Sequence, residues 1–382
     1  MKKSASILLC LALAGLTACQ KAEDITPSKD ATLVGEKVDV SSIGTGIRKV
    51  FVLNEGGMGS NNSTLDLLRM EDGNYITNAF GKMNPDVAGG LGDVGNDLII
   101  IDKQVWIVVN NSGIVEVISA EDETEIAAIQ VPTPRNIACD GTYAYVTSWA
   151  GAYAKYDDNN VITDYSNPKG QVYRISLSTK QIEGTVEVGY QPEGIAYQDG
   201  KLYVANSGGI SSQITGAYDN TVSIIDTKTF TVTKTLEVGL NPKTVLADGN
   251  GNVYVTILGD YWSTHSGLYM IDANDAVTHI SDYVSVAAID YDMVWCIGAE
   301  NEWDWNGEKV WKTFSCKAGI KVERELKPEG KAIYGICALG GQEFLISDAG
   351  DYFNPGTVSL YSGDKKVWTV TAGVCPGHFA IW

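Results

Sequence analysis

The feature that most constrains this fold is a sequence repeat of about 50 residues. Short β-rich segments recur along the chain, several with Tyr-Val at their centre, as at 144–147, 202–205 and 253–256. Each follows a tight turn containing Asp-Gly or Gly-Asn, which is a strong hairpin signal. A proline, which has no backbone N–H to donate to a sheet, marks most junctions between repeats. These prolines are Pro85, Pro134, Pro192, Pro242, Pro328 and Pro376.

Four short strands per repeat predict an all-β fold, a seven-bladed β-propeller. Six repeats are predicted to begin near Asp97, Arg135, Glu193, Lys243, Ser285 and Ala332. The first repeat has only three strands, at 49–54, 63–69 and 75–80. We expect the C-terminal segment 378–382 to supply its missing inner strand. The C-terminal strand would thus complete the first blade and close the ring, which removes an exposed sheet edge.

The N-terminus has the pattern of a lipoprotein export signal. Lys2 and Lys3 precede a short apolar run at 7–16, and Leu-Thr-Ala then leads to Cys19 in the manner of a lipobox. The run is too short to span a bilayer comfortably. We therefore predict a lipoprotein signal peptide at 1–18, an acylated flexible tether at 19–46 beginning with lipidation of Cys19, and a propeller at 47–382. The predicted location is the outer membrane, lipid-anchored and exposed at the cell surface.

The repeats resemble those of a known group of propellers. The segments VGYQP at 188–192, VGLNP at 238–242 and LYVAN at 202–206 are similar to YVTN-type repeats. The opening VFVLNEG at 50–56, behind a lipobox, resembles the surface propeller lipoproteins of Bacteroidota. That group includes corrinoid-binding lipoproteins that partner outer-membrane cobalamin transporters. The resemblance implies cobalamin or another corrinoid as the bound ligand and a TonB-dependent outer-membrane transporter as the partner.

One end of the predicted ring is much more elaborate than the other. The loops from the second to the third strand of each blade are long, whereas turns at the opposite end are minimal. These loops contain twelve acidic residues against two lysines, a net charge of −10. We call the end that carries them the loop face, and expect it to carry function on a rigid scaffold. The loops are 55–62, 110–113, 148–170, 206–220, 258–266, 298–308 and 347–356.

Aromatic residues are concentrated in these loops and are the predicted ligand-binding side chains, since stacked rings suit a large planar or amphipathic ligand. They are Trp149, Tyr153, Tyr156, Tyr165, Tyr218, Tyr261, Trp262, Trp303, Trp305, Tyr352 and Phe353. Polar residues at second-strand ends are the predicted hydrogen-bonding partners: Asn54, Asn110, Asn111, Asn206 and Ser347. The alternative is that the aromatic residues fold the loops down as a cap.

Charge and motif content narrow the remaining functions. A net charge of −19 disfavours nucleic acid and anionic lipid surfaces, so the lipid anchor would be the only membrane contact. Nucleophile-elbow, zinc-protease and phosphate-loop motifs are absent from the sequence, which predicts a binding protein rather than an enzyme. Two alternatives stay open. One is a glycan- or protein-binding surface propeller, and the other is a lactonase-like hydrolase. A phosphosugar substrate would require basic residues, and Arg135 is the one arginine expected near the loop face.

No cofactor or metal is required by the sequence, but two features suggest ions. The segment 302–307 matches the start of a calcium loop, with Thr313 where an EF-hand requires glutamate. A structural calcium ion and a solvated loop are the two interpretations. His265 could coordinate a metal-centred ligand or act as a hydrogen-bonding group. The cysteines of the predicted propeller are expected to be mostly buried thiols: Cys139, Cys296, Cys316, Cys337 and Cys375.

Overall fold

A computed structural model describes residues 33–304 and 307–382 as a ring of seven antiparallel sheets. Blade 1 contains β1 (Glu36–Lys37), β2 (Lys49–Asn54), β3 (Thr64–Arg69) and β4 (Asn74–Ile76), followed by helix α1 (Ala79–Met83). Blade 2 contains β5 (Gly95–Ile101), β6 (Gln104–Val109), β7 (Ile114–Ser119) and β8 (Glu125–Gln130). Blade 3 contains β9 (Pro134–Cys139), β10 (Tyr143–Ser148), β11 (Tyr153–Tyr156), β12 (Ile162–Ser166), β13 (Gln171–Ser176) and β14 (Ile182–Glu187).

The remaining blades repeat the pattern. Blade 4 contains β15 (Pro192–Gln198), β16 (Lys201–Asn206), helix α2 (Gly209–Thr215), β17 (Thr221–Asp226) and β18 (Thr231–Glu237). Blade 5 contains β19 (Pro242–Ala247), β20 (Val253–Ile257), β21 (Gly267–Ile271) and β22 (Val277–Asp282). Blade 6 contains β23 (Val286–Asp290), β24 (Met293–Gly298), β25 (Lys312–Lys317) and β26 (Ile320–Arg324). Blade 7 contains β27 (Ile333–Ala338), β28 (Glu343–Asp348), β29 (Pro355–Ser362) and β30 (Lys365–Val374), and the chain ends with β31 (Pro376–Ile381).

The last strand closes the ring, as the sequence predicts. β31 pairs antiparallel with β2, so that Val52 lies opposite Phe379 and Phe51 lies opposite Ala380. The first blade therefore has the strand order β1-β4-β3-β2-β31. The C-terminal strand thus covers the inner edge of β2, which would otherwise be unpaired, and joins both ends of the described chain in one blade.

The core includes seven apolar clusters, one between each pair of neighbouring blades. Second strands are buried almost throughout, as in β6, because neighbouring blades cover both faces of the sheet. Outermost strands such as β18 are mostly exposed at the circumference. This difference explains why second strands read as continuous apolar runs in the sequence.

Innermost strands of adjacent blades contact each other around the centre of the ring. The approach is close where glycine replaces a side chain. A Cβ at Gly194 would lie 2.4 Å from the carbonyl oxygen of Lys243 in the next blade. Residues at the starts of the innermost strands therefore meet at the mouth of a narrow central channel.

The folded domain begins earlier than predicted. The tether was expected to extend to residue 46, but β1 pairs with the outermost strand of blade 1, with Glu36 opposite Tyr75. Ile43 is buried in the cluster between blades 7 and 1, and the Trp368 indole donates to the Asp39 carbonyl oxygen at 2.8 Å. Long-range pairing and packing, which leave no local periodicity, hold this segment. Residues 33–46 thus belong to the propeller.

The third strand of blade 1 is also shorter than predicted. The expected strand 75–80 ends at Ile76, and α1 follows. Asn78 caps the helix by accepting a hydrogen bond from the backbone N–H of Gly81 at 3.1 Å, and Phe80 is buried beneath it. A capping asparagine explains why the strand ends here.

The predicted signal peptide, the lipidation site Cys19 and residues 19–32 of the predicted tether lie outside the described residues. In the described part of the chain, helices are too short or too polar to cross a bilayer.

Candidate functional site

The loop face is built as the repeat predicts. In each antiparallel blade, the loop from the second to the third strand and the crossover to the next blade emerge at the same end. Two of these loops carry extra structure, the hairpin β11–β12 in blade 3 and helix α2 in blade 4. The opposite end has tight turns such as Asp199-Gly200, where both residues have positive φ as a type I′ turn requires.

Three aromatic side chains from consecutive blades form a contact row on the loop face. The ring centroids of Tyr218 and Tyr261 are 6.2 Å apart, and those of Tyr261 and Trp303 are 4.7 Å apart. Both contacts are edge-to-face, with interplanar angles of 65° and 82°. This is the arrangement that aromatic pairs prefer. The structure therefore brings together predicted residues from blades 4, 5 and 6.

The loop that carries Tyr261 is fixed by Asp260. The Asp260 carboxylate accepts hydrogen bonds from the backbone N–H groups of Trp262, Ser263 and Thr264 at 2.7–3.0 Å. Burial opposes ionisation, but these hydrogen bonds and one from the Ser263 hydroxyl outweigh it and lower the pKa of Asp260 to about 2. Tyr261 itself has a φ of 67°, a conformation that is costly for a large residue.

Four other predicted aromatic residues are strongly exposed. Their relative exposures are 39% for Tyr153, 54% for Tyr165, 76% for Trp262 and 67% for Phe353. Tyr153 and Tyr165 lie on opposite strands of the projecting hairpin, and the Tyr153 hydroxyl donates to Asp164 at 3.1 Å. Exposed rings on three loops leave apolar surface available to a ligand or partner.

Two other aromatic residues of the same loop are partly buried: Trp149 at its base, and Tyr156 next to the turn of the hairpin. The Arg135 guanidinium stacks on the Trp149 ring at 4.5 Å from its centroid. Trp149 therefore contacts a cation, Arg135, that lies on the innermost strand of its blade. Trp305 lies outside the described residues.

Blade 7 contributes a second aromatic pair. The rings of Tyr334 and Tyr352 are 5.7 Å apart and nearly perpendicular. The Tyr334 hydroxyl donates to Glu55 Oε2 at 2.8 Å. Burial, with the negative charge of Glu302 adding to it, raises the pKa of Tyr352 well above its usual range. These phenols therefore lie among carboxylates near the channel mouth.

Four predicted hydrogen-bonding residues are buried and bond to other parts of the chain: Asn54, Asn110, Asn206 and Ser347. Asn110 Nδ2 donates to the Pro134 carbonyl oxygen at 2.8 Å, and the Ser347 hydroxyl donates to that of Pro376 at 2.5 Å. These bonds fasten the end of a second strand to the crossover that begins the next blade. A strand end is polar both where it binds a ligand and where it ties blades together, so ligand binding by these four residues stays a prediction.

Asn206 has the same role between its own blade and the preceding crossover. Its Oδ1 accepts from the Gly189 N–H at 3.0 Å, and its Nδ2 donates to Thr221 and Ser223 at 3.0 Å. The Asn54 amide donates to Thr64 Oγ1 at 3.0 Å. Asn111 is exposed and donates to Asp93 at 2.6 Å, so it alone of the five predicted polar residues lies at the surface.

The channel mouth holds a cluster of ionisable groups that the loop analysis missed. His378 Nε2 lies 3.2 Å from Glu55 Oε1, and His378 Nδ1 lies 3.8 Å from Asp97 Oδ1. Burial opposes ionisation of Glu55, but His378, Lys243 and Tyr334 together lower its pKa. Burial raises the pKa of Asp97. The side chains of Glu55, Asp97 and His378 are only 20–26% exposed.

A signal in the sequence could have found part of this cluster. Arg135, Glu193 and Lys243 each follow the crossover proline of their repeat. In the structure that position begins the innermost strand, and Arg135 forms an ion pair with Glu193 at 2.9 Å. Equivalent positions in a closed ring converge on its centre. Aligning the repeats would therefore have predicted a charged channel mouth.

A small pocket opens on the loop face between blades 5 and 6. Its lining includes Tyr261, His265, Tyr283, Trp303 and Glu302. The rings of His265 and Tyr283 are 4.7 Å apart and tilted by 39°. A Cβ at position 298 would lie 1.8 Å from the Tyr283 carbonyl oxygen, so Gly298 is required for the two loops to approach.

Among residues 33–304 and 307–382, histidine, cysteine and carboxylate side chains form no cluster that could hold a metal ion. The candidate calcium loop at 302–307 includes two residues outside that description, and calcium there stays a prediction. All five cysteines of the described chain are free thiols, and all except Cys139 are buried.

Comparison with known proteins supports the propeller fold. No protein-family model matches the chain, and no curated protein sequence is similar to it. Solved structures do match, including hydrazine synthase of Kuenenia stuttgartiensis, with a TM-score of 0.55 and 16% sequence identity. The match covers 74% of this chain and 88% of that chain. At this identity the likeness shows a shared propeller architecture.

Proposed function

We propose that this protein is a cell-surface lipoprotein that binds a corrinoid on the loop face and delivers it to a TonB-dependent outer-membrane transporter. The observation that carries the proposal is the concentration of accessible aromatic rings on one face of the ring. Blades 3, 5 and 7 contribute exposed rings there, and the row of Tyr218, Tyr261 and Trp303 crosses blades 4 to 6. A large macrocycle needs rings from several loops at once.

The polar groups of the loop face also suit such a ligand. A corrinoid is fringed with amide groups, which donate to carboxylates and accept from phenols and cations. Glu302 and Glu193 lie close enough to Tyr261 to raise its pKa, after burial and the neighbouring Tyr218. Carboxylates and phenols therefore occur together beneath the aromatic rings. The ligand's amides would bond to these groups rather than to the buried asparagines.

A lipid anchor at Cys19 is compatible with a ligand-binding loop face. The described chain enters at β1, which forms the outermost edge of blade 1 at the circumference of the ring. A lipid at Cys19 would attach through residues that precede this edge. We propose that the loop face is thus left accessible to ligand and to the transporter, with calcium and other cofactors not needed for capture.

One observation favours a second function, a glycan- or protein-binding propeller. The hairpin β11–β12 projects from blade 3 and forms a separate two-stranded sheet. It exposes Tyr153, Tyr165 and Val161, the last at 57%. An exposed apolar hairpin suits contact with another macromolecule.

Calorimetric titration of the detergent-solubilised full chain with cyanocobalamin and with cobinamide tests the first proposal. We expect 1:1 binding in the submicromolar range, weakened at least about tenfold by Trp303→Ala or Trp262→Ala, since ring stacking contributes substantially to such affinity. Tyr291→Ala is the matched control, because Tyr291 is 91% exposed but lies in a turn at the opposite end. Absence of heat with either ligand, at two temperatures and on folded protein, would reject corrinoid capture and favour the second function.

A further inference from the structure

The pocket between blades 5 and 6 has a composition that differs from the rest of the loop face. It is a cavity of about 20 Å³, which is room for a small polar group and far too small for a macrocycle. Four of its lining residues are aromatic: Tyr261, His265, Tyr283 and Trp303. Aromatic rings around a small space, with a carboxylate beside them, are the usual surroundings of an organic cation.

The rings are held in fixed positions. The Tyr261 and Trp303 centroids are 4.7 Å apart at an interplanar angle of 82°, so the edge of one ring meets the face of the other. His265 and Tyr283 pack against each other at 4.7 Å on the other side of the lining. The Tyr283 N–H donates to the Ser266 carbonyl oxygen at 2.6 Å, which extends the β21–β22 pairing of blade 5 to the pocket.

Two carboxylates line the pocket, and they differ in their partners. Glu300 forms an ion pair with Lys312 at 2.5 Å, and both side chains are about 60% exposed. Glu302 accepts a long hydrogen bond from the Ser266 hydroxyl at 3.4 Å, and within the described ranges no cation forms an ion pair with it. Burial raises the pKa of Glu302, although hydrogen bonding from the Ser285 and Ser266 hydroxyls and the more distant charges of Lys243 and Lys309 oppose this. The Glu302 carboxylate thus lacks a close positive partner.

We propose that this pocket binds a primary alkylammonium group, with the ammonium beside Glu302 and its alkyl chain against Tyr261 and Trp303. A cation among these rings is attracted by their π faces and by the carboxylate, and a neutral group of the same shape gains neither. The small volume selects an unsubstituted ammonium over a bulky quaternary one. The inference does not rest on the proposed corrinoid binding: it shares Tyr261 and Trp303 with that site but is carried by Glu302 and the small cavity between blades 5 and 6.

The test is a saturation-transfer NMR titration of the full chain with n-butylammonium, using n-butanol as the neutral ligand of equal size. We expect saturable binding of n-butylammonium at least about tenfold tighter than that of n-butanol, in line with a desolvated cation–π contact. Glu302→Gln keeps the shape of the side chain and should abolish most of this preference. Trp303→Leu should weaken binding of both ligands.

Glu300→Gln is the matched control, since its charge is already paired with Lys312. It should change the affinity for n-butylammonium less than about twofold. Equal binding of the amine and the alcohol, or a folded Glu302→Gln protein that binds the amine as the wild type does, would overturn the proposal.

A second ligand distinguishes the source of the ammonium. Nα-acetyl-lysine N-methylamide presents the same group as a lysine side chain within a peptide. If it competes with n-butylammonium, the pocket accepts lysine side chains of a protein. If n-butylammonium alone binds, the pocket takes small free amines.

Discussion

The Arg135 guanidinium donates two hydrogen bonds to the same oxygen of Glu193, from Nε at 3.0 Å and from Nη2 at 2.9 Å. The two residues begin the innermost strands of blades 3 and 4, and their side chains are 15% and 10% exposed. The flat face of the guanidinium stacks on the Trp149 ring. One arginine therefore joins two blades at the channel mouth and supports a ring of the loop face.

Replacing this arginine should destabilise the propeller strongly. Arg135→Met leaves the Glu193 carboxylate buried without its partner, so we expect a loss of about 3–5 kcal/mol in the free energy of unfolding. Chemical denaturation followed by circular dichroism measures it. The double variant Arg135→Met with Glu193→Gln should recover much of the loss, because no charge is then buried alone.

Arg324→Met is the control for this experiment. Arg324 also stacks on a tryptophan, Trp295, at 5.0 Å, but its hydrogen-bonding partner is the neutral Ser315 hydroxyl. Its replacement should cost less than that of Arg135. Equal losses for the two arginine variants would show that the Glu193 charge is not what matters.

Asn206 should contribute to stability and not to ligand affinity. Asn206→Ala removes the acceptor for the Gly189 N–H and the donor to two hydroxyls in a buried site, at an expected cost of about 1–3 kcal/mol. Thermal denaturation measures the stability, and titration with the ligand measures affinity. Asn111→Ala, at an exposed position, should have a small effect on stability. A stable Asn206→Ala protein with weakened binding would restore Asn206 to the ligand site.

Glu116 should make the protein less stable as the pH rises. Its side chain is buried in β7, and within the part of the chain that the structure describes its Oε1 has no hydrogen-bonding partner. Burial together with the charge of Glu125 raises its pKa to about 8. Between the ordinary carboxyl pKa of 4.5 and about 8, the unfolded chain has lost this proton while the folded chain retains it. Stability therefore falls with pH across that window, by about 1.4 kcal/mol per unit at most.

Glu116→Gln tests this directly. The variant has no group to ionise, so its melting temperature should exceed that of the wild type by more at pH 8 than at pH 5. Glu125→Gln, which removes only the secondary cause, should shift the melting temperature in the same direction by a smaller amount. A difference between Glu116→Gln and wild type that does not grow with pH would contradict the assignment.

The closing strand should be essential for a folded monomer. Deletion of residues 376–382 removes β31 and so exposes the inner edge of β2, with which β31 pairs. We expect loss of the cooperative thermal transition and association of the exposed edges, visible by size-exclusion chromatography. Trp382→Ala keeps the strand and removes a ring that contacts Arg48 and Lys49, so it should stay monomeric. A monomeric, cooperatively folded deletion variant would show that closure is dispensable.

Blade positions could be predicted because their signals are local. Predicted starts near Asp97, Arg135 and Glu193 correspond to β5, β9 and β15, which begin at Gly95, Pro134 and Pro192. Turn glycines and crossover prolines act on their own backbone, so they can be recognised without knowing what lies nearby. The same reasoning did not reach residues 36–46, which pair and pack with strands that are distant in the sequence.

The sequence by itself determined the repeat, the number of blades, the closing strand and the aromatic loop face, because each depends on local spacing. Only the tertiary structure decided which polar residues are buried and which ones meet across the ring. Asn206 and Ser347 turned inward to join blades, while Glu55 and His378, 323 positions apart, met at the channel mouth. Closing a ring converts equivalent positions in separate repeats into neighbours. Side-chain partners across that ring depend on distances that linear spacing does not contain.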